Sequence, residues 1–281
     1  MQNKNPALGA HDVFQDMEKW STEQALYWTD VLNKRATAAD QVALRAHILK
    51  QSGLKAGDSV LELGCGTGRL LADLARAAGG SGRVFGLEPQ PDFAKEAERY
   101  ISEQKLAAAR VLSGRAEKIP LPEASVDLCL AQTVLVHVPP HLLEIVFAEV
   151  KRVLKPGGRF ISVDQDGDTW IIDHPDRAVT RKIIQFNSDC RYADGWTGRS
   201  LRRLFSQGGF KDVQVQVWAH TDYEPGSYLH AMAQRIAQAA LECGVLSADE
   251  HGRWLQELDG RMRAGEFFSS MSYFCCQGEK A

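Results

Sequence analysis

The chain of 281 residues is 44% hydrophobic and 25% charged, and its formal net charge at pH 7 is −3. This composition is typical of a soluble globular protein of one large or two small domains. The near-neutral charge, without a run of five basic residues, argues against a nucleic-acid partner. No apolar run approaches the ~20 residues that span a bilayer, and the polar start lacks the apolar segment of a signal peptide. We therefore predict a cytoplasmic protein without a membrane partner.

The first predicted elements are helices. Residues 12–52 carry apolar side chains at helical spacing, and Gly53 is a suitable helix end. Strands and helices then alternate, which predicts a mostly parallel sheet covered by helices on both faces. The predicted strands cover residues 59–63, 83–88, 109–114, 126–135 and 159–166, and the helices between them cover 69–80, 91–106 and 140–158. The alternation then loosens, with a helix inside 167–197, a helix at 198–210, a strand at 211–220, two helices in 225–264 and a strand at 266–279.

The sequence GCGTG, residues 64–68, joins the first strand to the helix that follows it. In open parallel sheets, ligands bind beyond the carboxyl ends of the strands, so this turn is the expected binding site. A dinucleotide site would have the spacing G-x-G-x-x-G, but Arg69 occupies the sixth position here. The glycines therefore favour a ligand without a pyrophosphate group.

Four blocks occur in an order that resembles the class I S-adenosylmethionine-dependent methyltransferases, in their small-molecule branch. The blocks are LELGCGTG (61–68), the acidic Glu88 that closes the second strand, GRAEKIPLPEASVDLCLAQTVLVHVPP (114–140) and EVKRVLKPGGRF (149–160). The resemblance covers roughly residues 55–165. It implies a Rossmann-like α/β fold whose mostly parallel sheet has seven strands, the last of them antiparallel. It also implies a helical insertion before that last strand and S-adenosyl-L-methionine as the cofactor.

The resemblance further implies a domain organisation. Residues 1–54 are expected to form an N-terminal helical cap, and residues 55–281 the cofactor-binding domain. The segments 167–197 and 221–265 are expected to cover the site as a cap or lid.

Cofactor contacts follow from the same resemblance. Glu62 would face the methionine end of the cofactor, and Glu88 would accept both ribose hydroxyls. Ordinary alternatives are a helix-capping carboxylate for Glu62 and a solvated strand-end charge for Glu88. Gln132 would flank the methionine arm. The remaining expected contacts are the turn residues Gly64, Cys65, Gly66 and Gly68, then Pro89, and the adenine-lining Arg115, Ala116 and Glu117, with Arg115 where relatives often carry an aspartate.

Methyl transfer from a sulfonium is an in-line displacement, so the protein must mainly hold the nucleophile about 3–3.5 Å from the methyl group and exclude water. A base is needed only when the accepting group must lose a proton. His137, just after the fourth strand, is the candidate base, with a purely substrate-lining role as the alternative. The residues expected to line the substrate are Tyr27, Trp28, His137, His141, Trp170 and Trp196. Asp164, Asp166 and Asp168 lie close together, but we expect no metal there, and the six cysteines are expected to be free thiols.

These observations predict an enzyme that methylates an O, N or C atom of a small aromatic or apolar metabolite. Natural products, quinones and amino-acid derivatives all fit. Two alternatives remain open: a cofactor-binding cyclase or rearrangement enzyme on the same fold, and a non-catalytic binding protein. The expected assembly is a monomer or a homodimer.

Overall fold

A sheet runs through the protein, for which a computed structural model describes residues 12–224 and 226–281. Five parallel strands stand side by side in the order β3-β2-β1-β4-β5. Every residue of β1 is buried, as expected for a central strand with helices on both faces. The strands are β1 (Ser59–Leu63), β2 (Arg83–Glu88), β3 (Ala109–Ser113), β4 (Val126–Gln132) and β5 (Leu154–Gln165).

The strand order reverses at β1, which has β2 on one side and β4 on the other. The connections that leave β1 and β4 therefore diverge and leave a crevice at the carboxyl ends of these strands. This crevice is where the parallel part of the fold can hold a ligand.

The C-terminal part of the chain completes the sheet. The strand β8 (Ser269–Lys280) is antiparallel both to β5 and to β7 (Phe210–Asp222). This agrees with the predicted antiparallel last strand. An eighth strand, β6 (Ile171–Ile172), pairs with the start of β8 and was not predicted. Two residues are too few to show an alternating pattern in a sequence.

Helices cover both faces of the sheet through two separate apolar clusters. On one face, Phe147 and Phe205 pack against strand residues such as Phe160. On the other, Leu44 and Leu71 pack against residues such as Val60. The helices are α1 (Thr22–Thr37), α2 (Ala39–Ser52), α3 (Arg69–Ala78), α4 (Pro91–Glu103), α5 (Leu143–Val153), α6 (Arg177–Cys190), α7 (Thr197–Gln207), α8 (Tyr228–Glu242) and α9 (Ala248–Ala264), and a 3-10 helix precedes them at Val13–Lys19.

Several predicted boundaries differ from the structure, and two of these differences have a clear local cause. The strand β4 ends at Gln132 because Thr133 has a φ of +55°, in the left-handed region that interrupts a strand. The helix α5 ends at Val153, and the following Lys155–Gly158 segment, predicted as the end of that helix, belongs to β5. Pro156 cannot continue a helix, which explains the earlier end.

A third apolar cluster joins the segments 167–197 and 221–265, which are the two insertions of this fold. Trp170 and Ile183 pack there with Met232 of α8 and Trp254 of α9. The N-terminal elements form a smaller cluster, in which Val13 and Trp28 pack against Phe93 of α4. Within the described residues, no helix has the length and apolar character needed to cross a bilayer.

Candidate active site

A cavity opens at the carboxyl ends of β1, β2 and β4. Its floor is formed by the turn after β1, by Glu88 and Pro89 at the end of β2, and by Gln132 and Thr133 at the end of β4. The 3-10 helix, α1, α8 and the segment around the end of α6 supply the opposite walls. The cavity therefore lies at the reversal of strand order and is bounded by three segments outside the parallel sheet.

The glycine turn explains how the backbone comes so close to this cavity. Gly64 and Gly66 have φ values of +59° and +52°, in the left-handed region that side chains disfavour. At Gly64, a Cβ would also lie 2.7 Å from Cγ2 of Val134. Gly68 does not line the cavity; it precedes α3, where a Cβ would lie 3.0 Å from Cα of Ala97. Its absent side chain therefore serves the packing of α3 against α4 rather than contact with a ligand.

Glu88 holds the glycine turn from the neighbouring strand. Its Oε2 accepts a hydrogen bond of 2.8 Å from the backbone N–H of Gly66, and Oε1 accepts one of 2.9 Å from Gln90 N–H. The side chain is buried, and this burial raises the pKa of the carboxyl to about 7, against the effect of the two backbone donors. Glu88 is thus a buried strand-end acid, not a solvated one.

Glu62, at the end of β1, is buried beside the same cavity. Its Oε2 has no hydrogen-bond partner among the residues that the structure describes. Burial, helped by the negative charges of Glu88 and Asp73, raises the pKa of Glu62 well above its ordinary value. A buried acceptor without a donor costs free energy, so this oxygen is suited to a donor group of a ligand.

Residues after β3 close one end of the cavity. Arg115, Ala116 and Glu117 all line it. The Arg115 guanidinium is 2.7 Å from Glu18 Oε1 and 3.7 Å from Glu117 Oε2. Arg115 therefore ties the N-terminal 3-10 helix to the edge of the cavity.

Arg35 was not among the predicted site residues, but it lines the cavity beside the end of β4. Its Nη1 donates a hydrogen bond of 2.8 Å to Thr133 Oγ1. Gln132 lies next to it and donates to Gln41 Oε1 over 3.4 Å. Trp28, Leu32 and Arg35 share one face of α1, so the seven-residue spacing from Trp28 was the signal that could have found Arg35.

His137 faces the cavity just beyond β4 and forms an ion-pair-like contact with Asp12. Its Nδ1 lies 2.9 Å from Oδ2 of Asp12, whose side chain is fully buried. Because a carboxylate only accepts, Nδ1 donates, and Nε2 of the neutral imidazole is left as an acceptor. The His137 ring also packs against Phe14 and Tyr192. No local sequence pattern points to Asp12, which lies 125 positions away.

Comparisons with known proteins identify the family. The model of a methyltransferase domain matches residues 60–158. A demethylmenaquinone methyltransferase of Lactobacillus johnsonii is 32% identical over 229 residues, which are 76% of this chain and 90% of the relative. The chain belongs to the class I S-adenosylmethionine-dependent methyltransferases. A relative named only as an uncharacterized 37.1 kDa protein in a transposon of Streptomyces fradiae is 31% identical over 245 residues, covering 86% of this chain and 68% of that protein.

A solved structure agrees with this assignment at the level of the fold. The geranyl diphosphate C-methyltransferase of Streptomyces coelicolor, in complex with S-adenosyl-L-homocysteine, matches with a TM-score of 0.53 at 15% identity, over 86% of this chain and 76% of the other. Because it belongs to this family, the present methyltransferase is an enzyme whose cofactor is S-adenosyl-L-methionine. The donor set fits that group: the unpartnered Glu62 oxygen and the Arg35 guanidinium suit the two charged ends of an amino acid, and Glu88 suits a pair of hydroxyls.

The methyltransferase brings most of the predicted cofactor residues to this cavity. Apart from Gly68, every one of them lines it: Glu62, Gly64, Cys65, Gly66, Glu88, Pro89, Arg115, Ala116, Glu117 and Gln132. All of them lie at or just after the carboxyl ends of β1, β2, β3 and β4, which meet at one edge of the sheet.

The predicted substrate residues are divided between the cavity and other places. Trp28 and His137 line it, but Tyr27, His141, Trp170 and Trp196 do not. Tyr27 packs edge-on against Trp28, and His141 is exposed. Trp170 is buried in the cluster between the insertions, where its indole N–H donates to Ser269 Oγ at 3.0 Å, and Trp196 is 51% exposed. Tyr192, Tyr228, Met232 and Ile236 line the cavity instead.

The acidic cluster after β5 has structural partners. Asp164 accepts from Val136 N–H at 3.1 Å and from Ser162 Oγ at 2.7 Å. Asp166 pairs with Arg199, whose Nη2 is 2.6 Å from Oδ1. Across the described ranges, no group of three potential ligands is arranged to hold a metal ion.

Proposed function

We propose that the protein transfers a methyl group from S-adenosylmethionine to an O, N or C atom of a small aromatic or apolar metabolite. The observation that carries this proposal is one continuous cavity that joins Glu88 to His137. We call the part of this cavity beyond β4 the acceptor half. It is lined by Trp28, His137, Gln165, Asn187, Arg191, Tyr192, Tyr228, Met232, Arg235 and Ile236.

The cofactor would be held by the other half. Glu88 would accept the ribose hydroxyls, Glu62 the ammonium group, and Arg35 would bind the carboxylate of the methionine portion. Leu87, Ala116 and Glu117 would surround the adenine. The bound cofactor supplies an electrophilic methyl group attached to a positively charged sulfur.

The chain itself would position the acceptor and exclude water. Large side chains of the acceptor half, such as Trp28, Tyr192 and Met232, suit a small aromatic or apolar body. These residues belong to the proposed cap 1–54 and to the proposed lid segments 167–197 and 221–265. Enclosure by these segments would keep water away from the reacting atoms.

His137 would act as the general base for an acceptor that must lose a proton. Asp12 holds Nδ1 by a hydrogen bond, so Nε2 is the nitrogen that can take the proton. Asp12 would be a positioning residue, since it acts through the imidazole. For a carbon acceptor that is already nucleophilic, His137 would only line the substrate.

The test is a turnover assay with labelled cofactor and a panel of phenols, quinones and amino-acid derivatives. Stoichiometric S-adenosylhomocysteine and labelled product support the proposal, and Glu88→Ala should lower the yield of both at limiting cofactor. Conversion of a substrate without consumption of cofactor would show a cyclase or rearrangement enzyme instead. Tight cofactor binding with no turnover of any acceptor class would favour a binding protein.

A further inference from the structure

The carboxylates that line the cavity are confined to one half of it. Its acidic lining residues, as far as the structure describes them, are Glu62, Glu88 and Glu117, all in the half assigned to the cofactor. The acceptor half contains Arg191 and Arg235 and no lining carboxylate from the described residues. Basic lining residues without a lining carboxylate favour an anionic group in the acceptor half.

Arg235 is the least satisfied of the arginines that line the cavity. Its guanidinium carbon lies 5.5 Å from the centre of the Trp28 ring, and its buried Nε has no hydrogen-bond partner among the described residues. Two other lining arginines are paired, Arg45 with Asp73 at 2.9 Å and Arg115 with Glu18 at 2.7 Å. Leaving a buried guanidinium N–H without an acceptor is costly, so an acceptor atom of a ligand would relieve that cost.

Two buried amides in the same half also have atoms without partners. Asn187 is completely buried, and its Oδ1 lacks a donor within the described part of the chain. Gln165 is 7% exposed, and its Oε1 also lacks a donor among the described residues. Both side chains line the cavity. The acceptor half therefore offers donors at Arg235 and acceptors at the two amides, as a polar ligand with both kinds of group requires.

The net charge of the groups around Arg191 and Arg235 indicates what kind of anion would fit. Arg191 is buried close to Arg235 and to Asp12, whose single negative charge offsets one of the two positive charges. Counted over the residues that the structure describes, about one positive charge is left, which balances one carboxylate better than a phosphate dianion. A guanidinium also presents parallel N–H groups that match the two oxygens of a carboxylate.

The proximity of the two guanidinium groups has a cost of its own. Burial, together with the positive charge of Arg235, lowers the pKa of Arg191. An anion bound between them would reduce this repulsion. The site is therefore better satisfied with such a ligand than without it.

We propose that the methyl acceptor is a small carboxylic acid whose carboxylate is bound by Arg235 and Arg191. The hydrogen-bond donors of this acid would contact the amide oxygens of Gln165 and Asn187. This inference rests on the proposed function, because it assigns the acceptor to the half of the cavity that the cofactor does not occupy. It narrows the acceptor class from aromatic or apolar metabolites to those that carry one negative charge.

The test compares three probes on the complete protein saturated with S-adenosylhomocysteine. The probes are 4-hydroxyphenylacetate, its neutral carboxamide, and phenyl phosphate, and their affinities are measured by titration calorimetry. We expect the carboxylate to bind at least about tenfold more tightly than either of the others, which corresponds to about 1.4 kcal/mol. In Arg235→Gln this preference should be lost, whereas Arg181→Gln, at an exposed position of α6, should retain it.

Each outcome has one meaning. Equal affinity for acid and amide, or no measurable binding of the acid, would overturn the carboxylate assignment, and so would a preference that survives in Arg235→Gln. Tighter binding of phenyl phosphate would replace the carboxylate by a dianion and equally refute the proposal. Failure of the protein to bind S-adenosylhomocysteine in the first step would instead contradict the proposed function itself.

Discussion

The affinity of the protein for S-adenosylhomocysteine should depend on pH through Glu88. The buried carboxyl has a pKa of about 7, and in its ionised form it is the better acceptor for two ribose hydroxyls. With this pKa, about nine-tenths of Glu88 is ionised at pH 8 and about one-tenth at pH 6. If only the ionised form binds tightly, affinity falls about tenfold over this range, or about 1.4 kcal/mol.

Affinity should fall as the pH is lowered, because the pKa of Glu88 is shifted upwards. Burial raises the pKa above its ordinary value, so the free protein holds a proton below about pH 7, and the ligand must displace it. Binding at pH 6.5 should therefore release most of one proton. Calorimetry in two buffers of different ionisation enthalpy measures this release directly, and titrations from pH 6 to 8 give the change in affinity.

Matched variants separate Glu88 from its titratable neighbours. Glu88→Gln should bind more weakly at pH 8, by roughly 10- to 100-fold for a lost charge-assisted hydrogen bond. It should also lose the pH dependence that Glu88 contributes and keep only that of Glu62, whose pKa is raised as well. His137→Gln leaves Glu88 in place and should keep the wild-type profile. A flat wild-type profile, or the same slope in Glu88→Gln, would refute the assignment of this carboxylate to the ribose.

Three further changes test other parts of the site. Gly66→Val should abolish binding of S-adenosylhomocysteine in calorimetry, because the residue has a φ of +52° and lines the cavity; retained affinity with an intact circular dichroism spectrum would contradict the placement. Arg35→Gln should weaken the same affinity by roughly 10- to 100-fold, whereas exposed Arg253→Gln should not, and equal effects would argue against a carboxylate contact. Asp12→Asn keeps the oxygen that caps Phe14 N–H but changes the bond to His137, so turnover of a protonated acceptor should fall at least about tenfold with a shifted pH profile and unchanged S-adenosylhomocysteine affinity. Unchanged turnover would show that His137 needs no such positioning.

The sequence by itself determined the parallel sheet and the cofactor half of the cavity. Apolar runs such as residues 59–63 predict buried strands, and the glycines after them predict a close backbone approach. These signals are local, since each lies within a few positions along the chain. The signal for Glu88 is local in the same sense, because its place at the end of one strand puts it at the edge of the sheet.

Only the tertiary structure decided which residues form the acceptor half. Aromatic residues pack in cores and also line cavities, so composition could not separate the buried Trp170 from the cavity-lining Tyr192. The same holds for Trp196 and Tyr228.

Only the tertiary structure also shows which distant side chains form pairs. The contacts of Arg35 with Thr133 and of Asp12 with His137 join positions 98 and 125 residues apart. Periodicity along a helix or strand tells which face is buried, but not which distant segment that face meets. That meeting depends on how the N-terminal helices and the insertions pack over the sheet edge, and no short stretch of sequence records it.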